Sequence, residues 1–503
     1  MLTVTPIRGS TLLTQENYKM NYRMIGYIIG QIVRVEGILM FPPLICSIIY
    51  GEGNLLSFII PIIAALVIGT LLSVKKPTDT AIFAKEGFVS VGLSWIIMSL
   101  IGALPFIIGG YTDSFVDAFF ETVSGFTTTG ASIFSDIEAL DHGILFWRSF
   151  THWIGGMGVL VFVMAILPQA DTRSVKLMHV MRAEVPGPKV GKLVSKISRT
   201  ARIMYGIYIV MTLLQVALLM IGGMPLFDSL LNSFGTAGTG GFGIKNASIA
   251  AYDSAYVDYV TGIFMLLFGV NFNLYYFIII GHGLQALKSE ELRWYIGIIA
   301  GSVTLIALDI FRIYNDVGES IRYAFFQVAS IITTTGFSTA DFGAWPILSQ
   351  SILVLLMFCG ACAGSTGGGI KVSRVLLLVK TGLREIKYML HPRAVVAIKM
   401  EGKTAEKEVI RSATAFIIVY MMLFVVSFFA LVVAEECDLV TGFTAVTATI
   451  NNIGPGLGDV GPSGNFGIFT PFTKLLLSFD MLAGRLEIFP MIMLLAPSTW
   501  RSR

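Results

Sequence analysis

Charged side chains are scarce in this chain of 503 residues, of which Asp, Glu, Lys and Arg make up only 13%. Soluble domains carry about 25%, so the deficit argues against a soluble globular protein and for one that is embedded in lipid. The net charge is only +3. That value is too small to indicate a nucleic-acid partner.

Cysteine and histidine are also rare, with four and five copies. The cysteines lie in or beside apolar segments, which favours buried thiols over a disulfide framework. Cys359 and Cys362 have the spacing of a metal-binding pair, but no second pair or nearby histidine completes such a site. Clusters of carboxylates and histidines that would support catalysis are missing too, and we predict that the protein is not an enzyme.

Apolar residues, by contrast, make up 55% of the chain. A helix needs about 20 apolar residues to cross a bilayer. The first long run lacks a small-residue cleavage site and exceeds a signal-peptide core, so we expect a retained helix. Runs near the spanning length lie at about 25–50, 54–74, 88–109, 144–168, 203–223, 256–283, 296–311, 347–390 (interrupted), 412–434 and 469–496. They predict an all-α polytopic membrane protein with about ten spans.

The loops between these runs alternate between basic and acidic. Residues 171–202 hold eight Lys and Arg against two acidic residues, and the other basic loops lie near residues 75–85, 288–293 and 399–411. The intervening connections carry Asp and Glu instead. Because loops rich in Lys and Arg stay in the cytoplasm, ten spans place both termini and every basic loop on that side.

Four of the acidic connections are too long and too apolar for ordinary loops. Each has about a dozen residues with helical spacing of apolar positions, then a short polar stretch that ends in glycine, at Gly130, Gly240, Gly336 and Gly454. A helix of that length spans about 18 Å, too short to cross the bilayer. We predict four re-entrant segments, which membranes tolerate where protein or water covers the backbone.

The re-entrant segments recur about every hundred residues in the same phase relative to the membrane, so the repeats are parallel. Four helix–pore-loop–helix repeats in pseudo-fourfold arrangement would surround a central pore, preceded by two extra transmembrane helices. The predicted parts are a cytoplasmic N-terminal segment (1–24), an extra helix pair (25–87), pore repeat 1 (88–170), a basic cytoplasmic loop (171–202), pore repeat 2 (203–294), pore repeat 3 with an intramembrane loop (295–395) and pore repeat 4 (396–503).

A ring of four polar stretches can present backbone carbonyls that replace the hydration shell of an ion. The short helices would point their partly negative C-terminal ends at the same space, which favours a cation. Glycine permits backbone angles closed to other residues, and threonine hydroxyls can either bond locally or add oxygen ligands. No carboxylate lies in the four stretches, so a monovalent cation is favoured over a divalent one.

These repeats resemble those of the potassium transporter superfamily named after Trk, Ktr and HKT, and most closely its bacterial TrkH branch. The resemblance runs from about Asn21 to the end of the chain. In this family each repeat supplies one strand of an ion filter, and four filter glycines imply potassium over sodium. The resemblance assigns potassium binding to Thr127, Thr128, Thr129, Gly130, Ala237, Gly238, Thr239, Gly240, Thr333, Thr334, Thr335, Gly336, Asn451, Asn452, Ile453 and Gly454.

A second glycine-rich stretch, residues 360–371, interrupts the eighth run. Its five glycines among twelve residues cannot sustain a helix in lipid unless the freed backbone groups find partners. A phosphate-binding loop is disfavoured, because Ile370 separates the last glycine from the lysine and no strand precedes it. A plain kink is the other alternative. The family has an intramembrane gate here, which implies gating roles for Gly364, Gly367, Gly368, Gly369 and Lys371.

Arg485 lies deep in the last apolar run. A central arginine costs roughly 2.5–3.5 kcal/mol on insertion scales, so we expect it to face the pore or a carboxylate. In the pore it would repel a cation, and the family has an arginine at this position below its filter. A structural salt bridge to another helix is the alternative.

The resemblance implies a potassium-selective, channel-like uptake protein of the cell (inner) membrane that conducts K⁺ or Rb⁺ inward and holds no organic cofactor. It also implies a homodimer and a cytosolic, nucleotide-binding regulatory ring of the TrkA type. The basic loops at 171–202 and 371–411 suit either that ring or anionic membrane lipid. Two alternatives stay open: a sodium-coupled or sodium-permeable symporter of the same fold, and a membrane enzyme that binds phosphate at residues 364–371.

Overall fold

The computed structural model describes residues 20–79, 82–158, 197–394 and 396–500. Its helices are α1 (Tyr22–Leu39), α2 (Phe41–Ile49), α3 (Leu56–Ser73), α4 (Ala84–Gly102), α5 (Leu104–Ile108), α6 (Phe115–Phe126), α7 (His142–Gly156), α8 (Ile197–Ile221), α9 (Leu226–Gly238), α10 (Ala255–Phe268), α11 (Phe272–Ile279), α12 (Gly283–Leu287), α13 (Glu290–Tyr314), α14 (Val317–Ile332), α15 (Ile347–Cys359), α16 (Val372–Leu390), α17 (Lys407–Ala434), α18 (Leu439–Ile450), α19 (Pro471–Arg485), α20 (Phe489–Leu495) and α21 (Pro497–Trp500). An antiparallel hairpin pairs β1 (Lys399–Met400) with β2 (Lys403–Thr404).

Six helical stretches in the described ranges are long and apolar enough to cross a membrane: Tyr22–Ile49, Leu56–Ser73, Lys85–Ile108, Arg202–Ile221, Glu290–Tyr314 and Lys407–Ala434. They match six of the ten predicted runs. The run predicted as continuous at 256–283 is instead α10 and α11, which meet at an angle of 91°. Asn271 caps the new helix by accepting a hydrogen bond from the N–H of Asn273, so the break has a local cause.

Two of the remaining predicted runs are interrupted in the structure, and a third is only partly described. The run at 347–390 is interrupted between α15 and α16, as the glycine content predicts. The run at 469–496 is split between α19 and α20. The second half of the run at 144–168, almost all of the basic loop 171–202 and most of the N-terminal segment 1–24 lie outside the described residues.

The four short helices of the predicted re-entrant segments are α6, α9, α14 and α18, with 12, 13, 16 and 12 residues. Three of them begin at a side chain that accepts a hydrogen bond from the first turn: Ser114, Asp316 and Asp438. The fourth begins directly after Pro225. The three side-chain caps are standard helix starts, so local sequence fixes where those three helices begin.

The repeats close into a ring, because the helix that follows each polar stretch packs on the short helix of the next repeat. The joined pairs are α7 with α9, α10 with α14, α15 with α18, and α19 with α6. Side-chain contacts across these four seams include, in ring order, Phe150–Phe234, Asp258–Arg322, Phe358–Phe443 and Lys474–Asp117. Seams with an ion pair therefore alternate with aromatic seams, although the second seam also has an aromatic contact, Tyr259–Phe325.

The extra helix pair packs outside this ring. Helices α1 and α3 approach each other at two glycines: a Cβ added to Gly69 would lie 2.7 Å from the carbonyl oxygen of Gly30. Small residues of this kind let backbones of membrane helices come close. Helix α1 also contacts α4 of the first repeat, so the pair is joined to the ring on one side.

Candidate functional site

The four polar stretches share one backbone conformation. In each, a non-glycine residue with positive φ is followed two positions later by a glycine with positive φ. The pairs are Thr128 (55°) and Gly130 (83°), Thr239 (54°) and Gly241 (75°), Thr334 (58°) and Gly336 (84°), and Asn452 (56°) and Gly454 (95°). The N–H between the two returns to a carbonyl in the last turn of the short helix: Thr129 to Ser124, Gly240 to Gly235, Thr335 to Ser330, and Ile453 to Ala448.

This pattern corrects the register predicted for the second repeat. The residue equivalent to Gly130 is Gly241, not Gly240, and the stretch is residues 238–241 rather than 237–240. Ala237 still belongs to α9. Because Gly240 and Gly241 are adjacent, residue type alone cannot show which of them is equivalent to Gly130. The hydrogen bond from the N–H of Gly240 to the carbonyl of Gly235 shows that it is Gly241. We call residues 127–130, 238–241, 333–336 and 451–454 the filter ring, after the role that the sequence predicts for them.

The filter ring is closed by contacts between neighbouring repeats. A Cβ added to its positive-φ glycines would meet a carbonyl oxygen of the next repeat. The distances are 2.0 Å from Gly130 to Gly240 O, 1.9 Å from Gly241 to Thr335 O, 2.0 Å from Gly336 to Ile453 O and 2.7 Å from Gly454 to Thr129 O. Any side chain there would displace the carbonyl, so these positions need glycine for space as well as for φ.

Most side chains of the filter ring are buried and bonded locally. The hydroxyls of Thr127 and Thr129 lie 2.8 Å apart, and those of Thr333 and Thr335 lie 2.7 Å apart. Asn452 replaces a threonine in the fourth repeat, and its amide donates to Thr129 Oγ1 at 3.0 Å. Threonine therefore stabilises the turns, and the fourth repeat reaches the first through an amide.

On one side of the filter ring lies a cavity of about 120 Å³, which we call the mouth cavity. All four positive-φ glycines line it, together with hydroxyls and amides of the acidic connections. Lys245 and Asn246 also line it, and both donate to Glu138. The backbone hydrogen bond from Asn246, followed by that from Lys245, lowers the pKa of the Glu138 carboxyl. Among the described residues, no group of three or more His, Cys, Asp or Glu could hold a metal ion.

A buried ion pair supports the filter ring between the first two repeats. Arg148 Nε donates to Glu121 at 2.8 Å, and both side chains are at most 1% exposed. Glu121 also accepts from the N–H of Ile133, just after the first stretch, at 2.9 Å. Arg148 reaches the carbonyl of Gly243, just after the second stretch, at 3.3 Å. Sequence reasoning missed this pair, although Arg148 interrupts an apolar run just as Arg485 does.

The glycine-rich stretch, residues 360–371, lies on the helix side of the filter ring, and we call it the glycine loop. The N–H of Gly368 donates to Thr334 Oγ1 at 2.6 Å. A Cβ added to Gly367 would lie 3.0 Å from the carbonyl oxygen of Thr333. Gly364 and Gly369 have positive φ, at 75° and 73°. The loop thus fits against the filter ring only because its residues are small.

Lys371, which ends the glycine loop, also adopts positive φ, at 77°. Its ammonium group turns back and donates to the carbonyls of Gly367 and Gly368. The side chain therefore satisfies the loop itself instead of pointing out to a phosphate, which disfavours the phosphate-binding alternative.

Arg485 ends α19 and links the glycine loop to the first repeat. Its guanidinium donates to the carbonyl of Thr366 at 2.8 Å, and to those of Gly155 and Gly156 at 2.5 and 2.7 Å. These carbonyls belong to the loop and to the end of α7. Glu487, two residues further along the chain, pairs with Arg374.

Comparison with known proteins decides the family. The profile of the TrkH family, described as cation transport protein, matches residues 55–502. This chain belongs to the TrkH family. It is 37% identical over 488 residues to the Trk system potassium uptake protein TrkH of Salmonella typhimurium, covering 96% of this chain and all of that protein. Against the Trk system potassium uptake protein TrkG of Escherichia coli it is 34% identical, covering 95% and 99%.

A solved member of the TrkH family has the same fold. The crystal structure of the potassium transporter TrkH from Vibrio parahaemolyticus superposes with a TM-score of 0.86 at 34% identity, covering 96% of this chain and all of that one. The predicted resemblance and the predicted all-α polytopic membrane fold are thereby confirmed. The TrkH family is a transporter family, which agrees with the prediction that the chain is not an enzyme.

Proposed function

We propose that this protein is a potassium-selective, channel-like uptake protein whose ion path runs through the filter ring. The observation that carries the proposal is the closed contact of glycines and carbonyls from all four repeats. Backbone carbonyls held at such a constriction can replace the hydration shell of a monovalent cation. The relatives named Trk system potassium uptake proteins support potassium as that cation.

The proposed direction of flow is from the mouth cavity toward the basic side of the membrane, taken as the cytoplasm. The ends of four short helices meet at the filter ring, and their partial negative charge favours a cation there. An inward K⁺ gains about 2.3 kcal/mol per 100 mV of membrane potential. This assignment places both termini in the cytoplasm and the chain in the cell (inner) membrane.

We propose that the glycine loop and Arg485 close this path from below. Gly367 and Gly368 lie against the filter ring opposite the mouth cavity, and Arg485 fixes the loop through Thr366. A guanidinium in this place also repels a cation. Opening then requires the loop to move away from the filter ring.

The proposal extends to partners on the strength of the family resemblance. It includes a homodimer, with a pore in each protomer, and a cytosolic TrkA-type ring that binds a nucleotide and controls the glycine loop. Membrane lipid surrounds the exposed apolar helix faces. K⁺ is the transported ion and the only ligand proposed for the filter ring.

The decisive experiment is rubidium uptake into proteoliposomes under an inside-negative potential. Potassium should compete for uptake far more strongly than sodium, and uptake should not require a sodium gradient. Equal competition by sodium, or uptake that needs a sodium gradient, would favour the sodium-permeable or sodium-coupled symporter instead. Liposomes without protein give the background.

A further inference from the structure

One carboxylate ties the glycine loop to α16, the helix that follows it. Glu291, in the first turn of α13, accepts a hydrogen bond from the N–H of Ala363 at 2.7 Å and another from the N–H of Ser373 at 3.1 Å. Both bonds end on the same oxygen, Oε1. The side chain is 8% exposed. Because hydrogen bonds to an ionised acceptor are about twice as strong as neutral ones, Glu291 is a firm anchor for the loop.

The other hydrogen bonds that hold the loop either lack a charged partner or lie at a different part of the loop. Cys362 donates to the carbonyl of Gly269 at 3.0 Å, and Gly364 accepts from the N–H of Phe272 at 3.0 Å. Both are neutral backbone bonds to the bend between α10 and α11. Arg485 is charged but holds the middle of the loop, at Thr366. A neutral backbone bond from Val372 to Ala361 at 3.0 Å closes the base of the loop, and Glu291 adds a charged tie between Ala363 and Ser373.

Glu291 is itself held by the hairpin of β1 and β2. The carboxylate of Glu401, at the tip of the hairpin, accepts from Ser289 Oγ at 2.9 Å, from the N–H of Glu290 at 3.0 Å and from the N–H of Glu291 at 3.2 Å. It thereby caps the start of α13, where a negative charge is favourable.

The hairpin has backbone and side-chain features that suit this contact. Glu401 has φ of +49° and Gly402 has +74°, the left-handed pair that a two-residue hairpin turn requires. A glutamate in that conformation is strained, and its carboxylate contacts offset the strain. Lys380 of α16 connects the same elements, since it pairs with Glu290 and donates to the carbonyl of Lys399 at 2.7 Å.

We propose that Glu291 is a positioning residue that latches the glycine loop against the filter ring, and that the hairpin tip sets the latch through Glu401. A displacement of the hairpin would withdraw Glu291 from Ala363 and Ser373 together. The effect of the latch on ion flow rests on the gating role proposed above. The effect on the loop itself does not, and it can be measured without transport.

Cys362 reports on the loop directly, because it is 1% exposed and is followed by Ala363. The test uses the full-length protein with Cys46, Cys359 and Cys437 replaced by alanine, and follows the rate at which a water-soluble maleimide labels Cys362. Glu291→Ala should raise this rate by about tenfold, since two charge-assisted bonds are lost. Glu291→Gln should label at a rate between those of the parent and Glu291→Ala, because the amide oxygen can still accept both bonds but carries no charge.

Two results would overturn the latch: a parent labelling rate in monodisperse Glu291→Ala, or Glu291→Gln labelled as fast as Glu291→Ala. Rubidium uptake by the same variants separates the two proposals. Faster labelling together with faster uptake supports both. Faster labelling with unchanged uptake supports the latch and rejects the loop as the gate.

If Glu291→Ala does not yield folded protein, Glu401→Ala tests the same proposal. Glu401 is exposed at the hairpin tip, so its loss spares the packed interior and should still speed the labelling of Cys362. A parent rate would overturn the part of the proposal that concerns the hairpin. Glu385→Ala is the matched control, because Glu385 is an exposed glutamate on α16 that pairs only with the neighbouring Arg384 among the contacts of the described residues.

Discussion

At the scale of single residues, the filter ring requires glycine at four positions because glycine has no side chain. At each of four positions a side chain would occupy the place of a carbonyl oxygen from the next repeat. The same positions have φ angles that L side chains rarely adopt. Two independent constraints therefore select glycine at Gly130, Gly241, Gly336 and Gly454.

Gly336→Ser should lower the preference for potassium over sodium by about tenfold, or about 1.4 kcal/mol of discrimination. The new Cβ would lie 2.0 Å from the carbonyl oxygen of Ile453 and force that ligand to move. Reversal potentials in mixed potassium and sodium salts measure the change. Gly281→Ser is the control, because Gly281 has the same φ of +84° with no atom within 4 Å of its Cβ position. Unchanged reversal potentials for Gly336→Ser would contradict the filter assignment.

Arg485→Ala should increase rubidium uptake several-fold in the absence of a regulatory partner. The variant loses the bonds to Thr366, Gly155 and Gly156 and removes a positive charge from the path. Arg384→Ala, which removes a half-buried arginine paired with its neighbour Glu385, should leave uptake unchanged. Equal uptake by the parent and Arg485→Ala would leave Arg485 with a structural role only.

At the scale of elements, the ion pair of Glu121 and Arg148 joins α6 to α7 and the filter ring of repeat 1 to that of repeat 2. The positions equivalent to Glu121 in the other repeats, counted back from the filter ring, are Asn232, Gln327 and Ala445. This quarter of the ring therefore has a buried charge pair where the other three have neutral residues. The backbone of the ring has pseudo-fourfold symmetry, but the side chains that pack behind it do not.

Arg148→Ala should destabilise the protein by about 3–5 kcal/mol, because it leaves the Glu121 carboxylate buried without its countercharge. Replacing both residues, as Glu121→Leu with Arg148→Met, should recover most of that loss. Thermal unfolding in detergent measures both. Lys245→Ala breaks an exposed pair with Glu138, and we expect almost no change there. A double variant no more stable than Arg148→Ala would show that the pair is not coupled.

The short helices were predictable from sequence because their signals are local. Ser114 and the apolar periodicity of α6 lie within one segment, and the same holds for α14 and α18. The bend between α10 and α11 was not predicted, because Asn271 and Asn273 are isolated polar residues in a long apolar run and the loop that fills the bend comes about ninety residues later. The predicted register of the second stretch was wrong for a similar reason: only the backbone, through the positive φ of Gly241 and the hydrogen bond of Gly240, distinguishes the two glycines.

The supporting charges were missed because their partners are distant in the chain. Arg148 bonds Glu121 and also Gly243, which is 95 positions away. Glu291 reaches Ala363 and Ser373 across 72 and 82 positions. A single sequence shows each of these residues only as a charge near an apolar run, without the group that it contacts.

At the scale of the whole molecule, the four seams form two alternating kinds. In the seam between repeats 2 and 3 the acid, Asp258, is on the helix after the filter ring and the base, Arg322, is on the short helix. In the seam between repeats 4 and 1 the order is reversed, with Lys474 and Asp117. The two ion-paired seams thus differ in which of the two helices carries the acid and which carries the base.

Exchanging the charges of one seam should show that the pairing matters and its direction does not. Lys474→Asp places two carboxylates together and should lower the unfolding midpoint, whereas Lys474→Asp combined with Asp117→Lys should restore most of it. We expect a coupling energy of about 0.5–3 kcal/mol from the double-mutant cycle. The same exchange at the more exposed pair of Arg384 and Glu385 is the control. A double variant as unstable as the single one would contradict the seam assignment.

The bond between Asn452 and Thr129 joins residues 323 positions apart, and this has a consequence for biogenesis. Three repeats inserted in the membrane leave an arc with two unmatched ends. Polar backbone at those ends is costly in lipid until the fourth repeat arrives. The filter ring therefore cannot close until the fourth repeat, which supplies Asn452, has been translated and inserted.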